Sequence, residues 1–167
     1  MRLTPEPSHF SLAARSLLGG IWFALWFFVA FPGALLYWCG ESLLPPPGPN
    51  RLIGSALIAA FHIVLVALVA RFVRQGGGTL VPLQPPPQLV ALGLYARMRN
   101  PMYATYVAIA LGGAILYRSW ILLGYAAGFA LLVHGYVVLV EEPKLRARFG
   151  AAYERYCEAS GRWLPRL

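Results

Sequence analysis

The run WILLGYAAGFALLVHGYVVLVEEP, Trp120 to Pro143, carries no charged residue from Trp120 to Val140 and then closes on two adjacent carboxylates, Glu141 and Glu142. At about 1.5 Å of rise per residue, a helix of that length crosses a hydrocarbon core about 30 Å thick. Two carboxylates at the end of such a run are costly unless something there needs them. Immediately upstream, Arg118-Ser119 separates this run from a second apolar segment, Pro101–Tyr117. So short a connection forces the two segments into an antiparallel hairpin. Pro101 suits the first turn of a helix, with Asn100 as its N-cap. The hairpin therefore brings the Arg99-Asn100-Pro101 turn to the same membrane face as Glu141-Glu142.

Further towards the N-terminus, Ser16 to Cys39 is an unbroken apolar run that reads as a first transmembrane helix, with a kink at Pro32-Gly33. Its length exceeds the apolar core of a signal peptide. Glu41–Arg51, with Pro45-Pro46-Pro47-Gly48-Pro49, reads as a loop, and Leu52–Phe72 as a second span. Gln75–Leu92 holds Gly76-Gly77-Gly78 and Pro85-Pro86-Pro87 and reads as a flexible linker. No strand precedes that glycine triplet and its spacing is wrong for a nucleotide-binding fingerprint. Beyond Pro143, Leu145, Phe149, Ala152, Tyr153 and Tyr156 recur at helical spacing opposite Lys144, Arg146, Arg148 and Arg155, which predicts an amphipathic helix on the membrane surface. The expected fold is all-α: a polytopic membrane protein of four transmembrane helices plus a C-terminal amphipathic helix at the cytosolic face. A chain of this length is one domain, 1–167, with a helical hairpin and linker in 1–90 and the chemistry in 91–167.

Composition agrees with this class. The 167 residues are 59% hydrophobic and 12% charged, against about 45–50% apolar and 25% charged in soluble domains. The net charge of +8 records topology rather than a nucleic-acid partner. Only Arg51 and Arg118 fall on one side of the predicted spans, while Arg2, Arg15, Arg71, Arg74, Arg97, Arg99, Lys144, Arg146, Arg148, Arg155, Arg162 and Arg166 fall on the other. That asymmetry places both termini and the polar motifs in the cytoplasm. Arginine outnumbers lysine thirteen to one, which points to a GC-rich bacterial source and so to the inner membrane. Cys39 and Cys157 fall at opposite faces and are not expected to pair. The chain has no Asp, and no metal site is expected.

The string Gly93-Leu94-Tyr95-x-x-x-Arg99-Asn100-Pro101-Met102-Tyr103 resembles the first motif of the integral-membrane methyltransferases, which include the isoprenylcysteine carboxyl methyltransferases and the phospholipid N-methyltransferases. The tail, Glu141-Glu142-Pro143-x-Leu145 through Phe149-Gly150, Tyr153 and Tyr156 to Arg162-Trp163-Leu164-Pro165, is similar to the same family's C-terminal signature. The resemblance covers about residues 90–167. Asn100 stands where many eukaryotic relatives have His, and Ser160-Gly161 precedes Arg162 where a Val-Pro pair is common.

The resemblance implies an S-adenosylmethionine-dependent methyltransferase without a Rossmann domain. Its cofactor pocket would lie at the cytosolic end of the helices, and a lipophilic acceptor would arrive from the bilayer. Carried onto this sequence, the site comprises Arg99 and Glu142 as catalytic residues. Leu94, Tyr95, Asn100, Pro101, Tyr103, Glu141, Glu142, Tyr153 and Arg162 would bind cofactor. A carboxylate such as Glu142 can neutralise a sulfonium in a low-dielectric setting. Arg99 can pair with a carboxylate or phosphate, and Tyr95, Tyr103 and Tyr153 offer flat surfaces and hydroxyls. On this reading Glu142→Gln abolishes cofactor binding without unfolding the protein. His134, two helical turns before the glutamates, and His62, deep in the second span, are further candidates whose bland reading is a hydrogen bond within the helices.

A carboxyl methyltransferase of the isoprenylcysteine type is the expected activity. A phospholipid amine methyltransferase or a small-thiol methyltransferase is the alternative within the class. The alternative outside it is a non-catalytic membrane scaffold. Membrane lipids and the apolar acceptor are the expected partners, and the sequence does not specify an oligomeric state.

Overall fold

The computed structural model describes residues 18–76, 89 and 91–166. Arg2, Arg15 and most of the predicted linker lie outside these residues. Among the described residues there are helices and turns and no strand. Helix α1 spans Leu18–Trp38, α2 Pro49–Gly76, α3 Pro101–Tyr117, α4 Trp120–Phe149 and α5 Ala151–Ala159. A single 3-10 turn, Gly93–Ala96, precedes α3.

Three helices, α1, α2 and α4, are long and apolar enough to cross a membrane, where the sequence predicts four. The difference is α3, whose 17 residues give about 26 Å of rise. It is cut short by Pro101 at its start and by Arg118 at its end, in left-handed conformation with φ 52°. Ser119 then opens α4, its Oγ accepting from the Leu122 amide at 3.1 Å. The α3–α4 hairpin is thus the tight one expected.

Two predicted boundaries move. Helix α2 begins at Pro49 rather than Leu52, because a proline at the first helical position has its φ pre-set and needs no donor. Arg51 turns back to donate to the Pro45 and Pro46 carbonyls, closing the proline loop. Past Val140, α4 does not stop for a separate surface helix at Pro143. It continues to Phe149, and the break falls at Gly150, with φ 51° and ψ −129°. Leu145 and Phe149 therefore ride on α4, while Ala152, Tyr153 and Tyr156 belong to α5.

Both prolines inside long helices are accommodated in the same way. A proline has no N–H and its ring collides with the carbonyl four residues back; a π-helical turn upstream inserts one residue and moves that carbonyl aside. In α1 the π turn is Trp26–Ala30, with the Phe31 amide bonding Trp26 and Pro32 following. In α4 it is Val137–Glu141, with the Glu142 amide bonding Val137 and Pro143 following. The expected kink at Pro32-Gly33 takes this form. The shift leaves the Phe27 carbonyl without a backbone donor, and the Tyr125 hydroxyl of α4 donates to it at 2.6 Å.

Helices α2 and α3 form the broadest contact of the bundle. Inside a bilayer apolar burial gives helices no reason to associate, so close packing over small residues must supply it. A Cβ on Gly54 would lie 2.6 Å from the Leu116 amide nitrogen, and one on Gly112 2.9 Å from the Ile58 side chain. The buried Asn50 adds a tie, its Nδ2 donating to the Leu116 carbonyl at 2.8 Å and to Pro46 at 3.1 Å. The pair is antiparallel, because at the other end Leu68 and Phe72 of α2 pack with Tyr95 and with Met102 at the start of α3. The C-terminal ends of α2 and α4, the start of α3 and the tail therefore meet at one end of the bundle.

Gly54→Ile is expected to lower stability by about 1–3 kcal/mol or more, the range for overpacking a filled contact. Gly124→Ala, where an added Cβ meets nothing, should be neutral or stabilising by up to about 1 kcal/mol. Thermal unfolding of the purified variants in detergent checks both.

Candidate functional site

The site begins with a turn and a strap. Arg97, Met98 and Arg99 run beside the tail residue Gly161, with the Arg99 amide donating to Gly161 at 2.8 Å and the Gly161 amide donating to Arg97 at 2.9 Å. Only glycine fits at 161, since a Cβ there would lie 2.0 Å from the Leu164 carbonyl oxygen. Asn100 sits at the N-cap position of α3, but its side chain does not cap the helix. Its Nδ2 instead donates to the Arg162 carbonyl at 3.2 Å, tying turn to tail. Arg99 reaches across to the end of α5, donating from Nη1 to the carbonyls of Cys157 at 3.0 Å and Ser160 at 2.6 Å. A guanidinium suits the carbonyl-rich end of a helix. Tyr156 completes the strap, its hydroxyl donating to the Tyr95 carbonyl at 2.7 Å. Burial pushes that phenol up to about 12, so it stays a donor at neutral pH.

The two adjacent glutamates face different environments. Glu142 is only 2% exposed. Arg162 grips it through two bonds, Nε to Oε1 at 2.8 Å and Nη2 to Oε2 at 3.0 Å. Arg99 Nε stands 3.6 Å from Oε1 and Arg146 Nη2 3.5 Å from Oε2. The hydrogen bond to Glu142 raises the Arg162 guanidinium further above its ordinary value. One carboxylate thus holds three guanidiniums, and among the described residues only Arg146 has a second acid, Glu154 at 3.0 Å. The cluster retains surplus positive charge.

Glu141 has none of this. Its Oε2 accepts from the Tyr103 hydroxyl at 2.9 Å, and among the described residues it makes no ion pair. Tyr95 is buried nearby with no partner for its hydroxyl. Burial first, then Tyr156, Tyr106 and Glu141, raise that phenol above its ordinary range. Arg99 Nε is the other buried polar atom at this end without a hydrogen bond.

The structure gathers the site residues expected from sequence at one end of the bundle. Leu94 packs beside the Leu68–Tyr95 pair, and Pro101 is fully buried at the first turn of α3. Tyr153 is 1% exposed, with Arg146 over its ring at 5.7 Å, so it offers no open surface to an adenine. Glu142 is paired with Arg99, Arg146 and Arg162. His134 accepts at Nδ1 from the indole N–H of Trp163 in the tail at 3.1 Å, and the His62 Nδ1 donates to the Ile58 carbonyl of its own helix at 2.8 Å. Arg146 and Tyr106 were not singled out as site residues by sequence. Arg146 is legible in retrospect as the i+4 neighbour of Glu142, whereas Tyr106 carries no local signal.

An all-helical chain with membrane-length helices and a buried acid–arginine cluster at one end defines an integral-membrane protein with a polar site at the bundle's rim. The sequence profile of the phospholipid methyltransferase family matches residues 50–152, more than half of the chain, and the protein belongs to that family. Neither a curated protein nor a solved structure matches the chain.

Removing the charge of Glu142 leaves three guanidiniums around a neutral amide. Glu142→Gln is therefore expected to cost about 3–5 kcal/mol, the penalty for breaking a buried pair, and to release the tail. A lowered melting temperature, with new protease cleavage after residue 150, checks this. A variant that melts with the wild type would return Glu142 to the purely cofactor-binding role.

Proposed function

We propose that the protein transfers a methyl group from S-adenosylmethionine to the amine head group of a lipid at the cytosolic face of a bacterial inner membrane. The observation that carries this reading is Glu141, a carboxylate on a membrane-length helix that accepts from the neutral Tyr103 phenol and, among the described residues, makes no ion pair. A half-buried carboxylate without an ion-pair partner is costly, and both reactants can supply a cation: the sulfonium of the cofactor and the ammonium of an aminolipid. Two buried polar atoms without a hydrogen bond among the described residues, Tyr95 Oη and Arg99 Nε, fit a pocket completed by a ligand.

The cofactor, when bound, supplies an electrophilic methyl group for in-line displacement. Glu141 holds a positive charge against the Tyr103 hydroxyl and takes the proton that an ammonium acceptor must lose before its lone pair can attack. The aromatic faces of Tyr95, Tyr103 and Tyr106 favour a cation at the same place. The surplus positive charge of Arg99, Arg146 and Arg162 suits the cofactor's carboxylate or the acceptor's phosphate. Catalysis is then positioning and exclusion of water, with no covalent intermediate.

This reading turns the preference among acceptors from a carboxylate to an amine, because Glu141 repels an anionic acceptor and serves a cationic one. The family match to phospholipid methyltransferases supports the same direction. A prenylated-cysteine carboxylate is the second reading, favoured by the three guanidiniums around Glu142. The topology that goes with the proposal has α3 as a fourth, short span, since 17 residues lie at the lower limit of about 17–25 for crossing. It has both termini in the cytoplasm, and residues 91–167 form the catalytic part of a single domain.

The test is methyl transfer from labelled S-adenosylmethionine by the full chain in vesicles containing phosphatidylethanolamine, with a farnesylated cysteine and a small thiol as competing acceptors. Label is expected in the aminolipid. Glu141→Gln should lower turnover by about 10²–10⁴-fold, the usual weight of a general base, while cofactor still binds. Arg99→Ala should lose cofactor binding. Label only in the prenylated cysteine would select the second reading, and no cofactor binding by folded wild type would leave a non-catalytic scaffold.

A further inference from the structure

A second feature lies away from this site. Helices α1, α2, α3 and α4 enclose a cavity of about 240 Å³ in the half of the bundle nearer Arg118. Its wall includes Pro32, Gly33, Ile58, Gly113, Leu116 and Tyr125. The two wall tyrosines have no free donor for a ligand: Tyr125 donates to the Phe27 carbonyl and Tyr117 to Leu43 at 3.2 Å. The cavity is therefore apolar in effect as well as in composition.

It is also built rather than left over. The π turn ahead of Pro32 and the Tyr125 bond fix the course of α1 against α4. Asn50 fixes the end of α3 against α2. Gly33 and Gly113 both line the cavity, and a Cβ at either would meet nothing within 4 Å. A dry cavity forfeits packing on every wall, yet alanine at either glycine would have filled part of it and favoured the helix by about 1 kcal/mol. Room for on the order of eight water-sized groups in an apolar wall at membrane depth suits one occupant, a hydrocarbon chain.

The section between cavity and polar site is filled. Phe28, which lines the cavity, packs on Tyr106 with ring centres 5.7 Å apart and on Phe129 at 6.4 Å. Phe23 covers Tyr106 from the other side at 5.3 Å. A chain whose head group lies at Glu141 has no path through this aromatic layer. At the opposite end, Trp38 and Trp120 are 85% and 83% exposed, as aromatic residues are at a membrane interface. We propose that the cavity is a binding site for one acyl chain of a phospholipid from the leaflet on the Arg118 side, separate from the site of methyl transfer and holding the four helices in register.

The test is photolabelling of the full chain in phosphatidylglycerol vesicles, using a trace of phosphatidylglycerol with a diazirine at the end of one acyl chain. Labelled peptides are mapped, and the same probe on phosphatidylethanolamine is run in parallel. Both probes should label the peptides around Phe28–Leu36 and Ile109–Tyr125 at wall positions, and Gly113→Leu should lose that labelling. Should Gly113→Leu fail to fold, the Gly33→Ala/Gly113→Ala double variant should show the same loss in weaker form. Labelling confined to lipid-facing residues, or unchanged in a folded filling variant, would overturn the proposal. Wall labelling by the ethanolamine lipid alone would overturn it too, because the cavity would then hold the tail of the methyl acceptor.

Discussion

A single buried carboxylate organises the polar end of this protein. Glu142 draws one arginine from the turn before α3, one from its own helix and one from the tail, and backbone bonds at Gly161 and Arg166 also tie the tail to the turn. Each guanidinium alone would be stranded beside a membrane-length helix. Around Glu142 they share one counter-charge, and the tail folds over because Arg162 must come close enough to form both of its bonds. The strap at Arg97–Asn100, the cap on α5 and the docking of Trp163 then follow from the same closure. Surplus positive charge is the consequence of one acid serving three bases, and it makes this rim receptive to an anion.

Proline placement sets the directions in which these groups point. Pro143 forces a π turn directly before Glu142, and the extra residue rotates everything after it relative to the apolar face of α4. The same device at Pro32 bends α1 and frees a carbonyl, which a tyrosine of α4 satisfies. One helix end is thereby aimed and one helix pair latched, both without a break in the membrane-length rod. Glycine has the complementary role: where α2 and α3 touch most closely, Gly54 and Gly112 admit a backbone-to-backbone approach that apolar burial cannot drive in lipid.

Much of this was legible in the sequence. Charge-free runs of membrane length, the two-residue turn at Arg118-Ser119, and the gathering of Arg99, Asn100, Glu141 and Glu142 at one end follow from periodicity and loop length alone. The helix boundaries at Pro49 and Gly150 did not, because both prolines there sit at the start or inside of helices, where they are tolerated for reasons of backbone geometry. Asn100 read as a cap because its local context allows one, but a long-range acceptor on Arg162 competes for its amide and wins. Tyr153 read as a ligand surface through the family resemblance, while helical spacing placed it on an apolar face, and in the structure it is buried. The arginine census says nothing of the convergence of Arg146, Arg99 and Arg162 on one acid.

The division of labour between Glu141 and Glu142 could not be read from the doublet, since adjacent identical residues are equivalent as letters. On a helix they are not equivalent, because successive side chains diverge by about 100°. With Glu142 directed to the arginines, Glu141 is turned towards α3, where Tyr103 meets it and, among the described residues, no ion pair forms. A doublet at this position is therefore a way to have two carboxylates with opposite fates within one residue of each other. One is neutralised completely and holds the structure closed. The other makes no ion pair among the described residues and accepts from the Tyr103 hydroxyl.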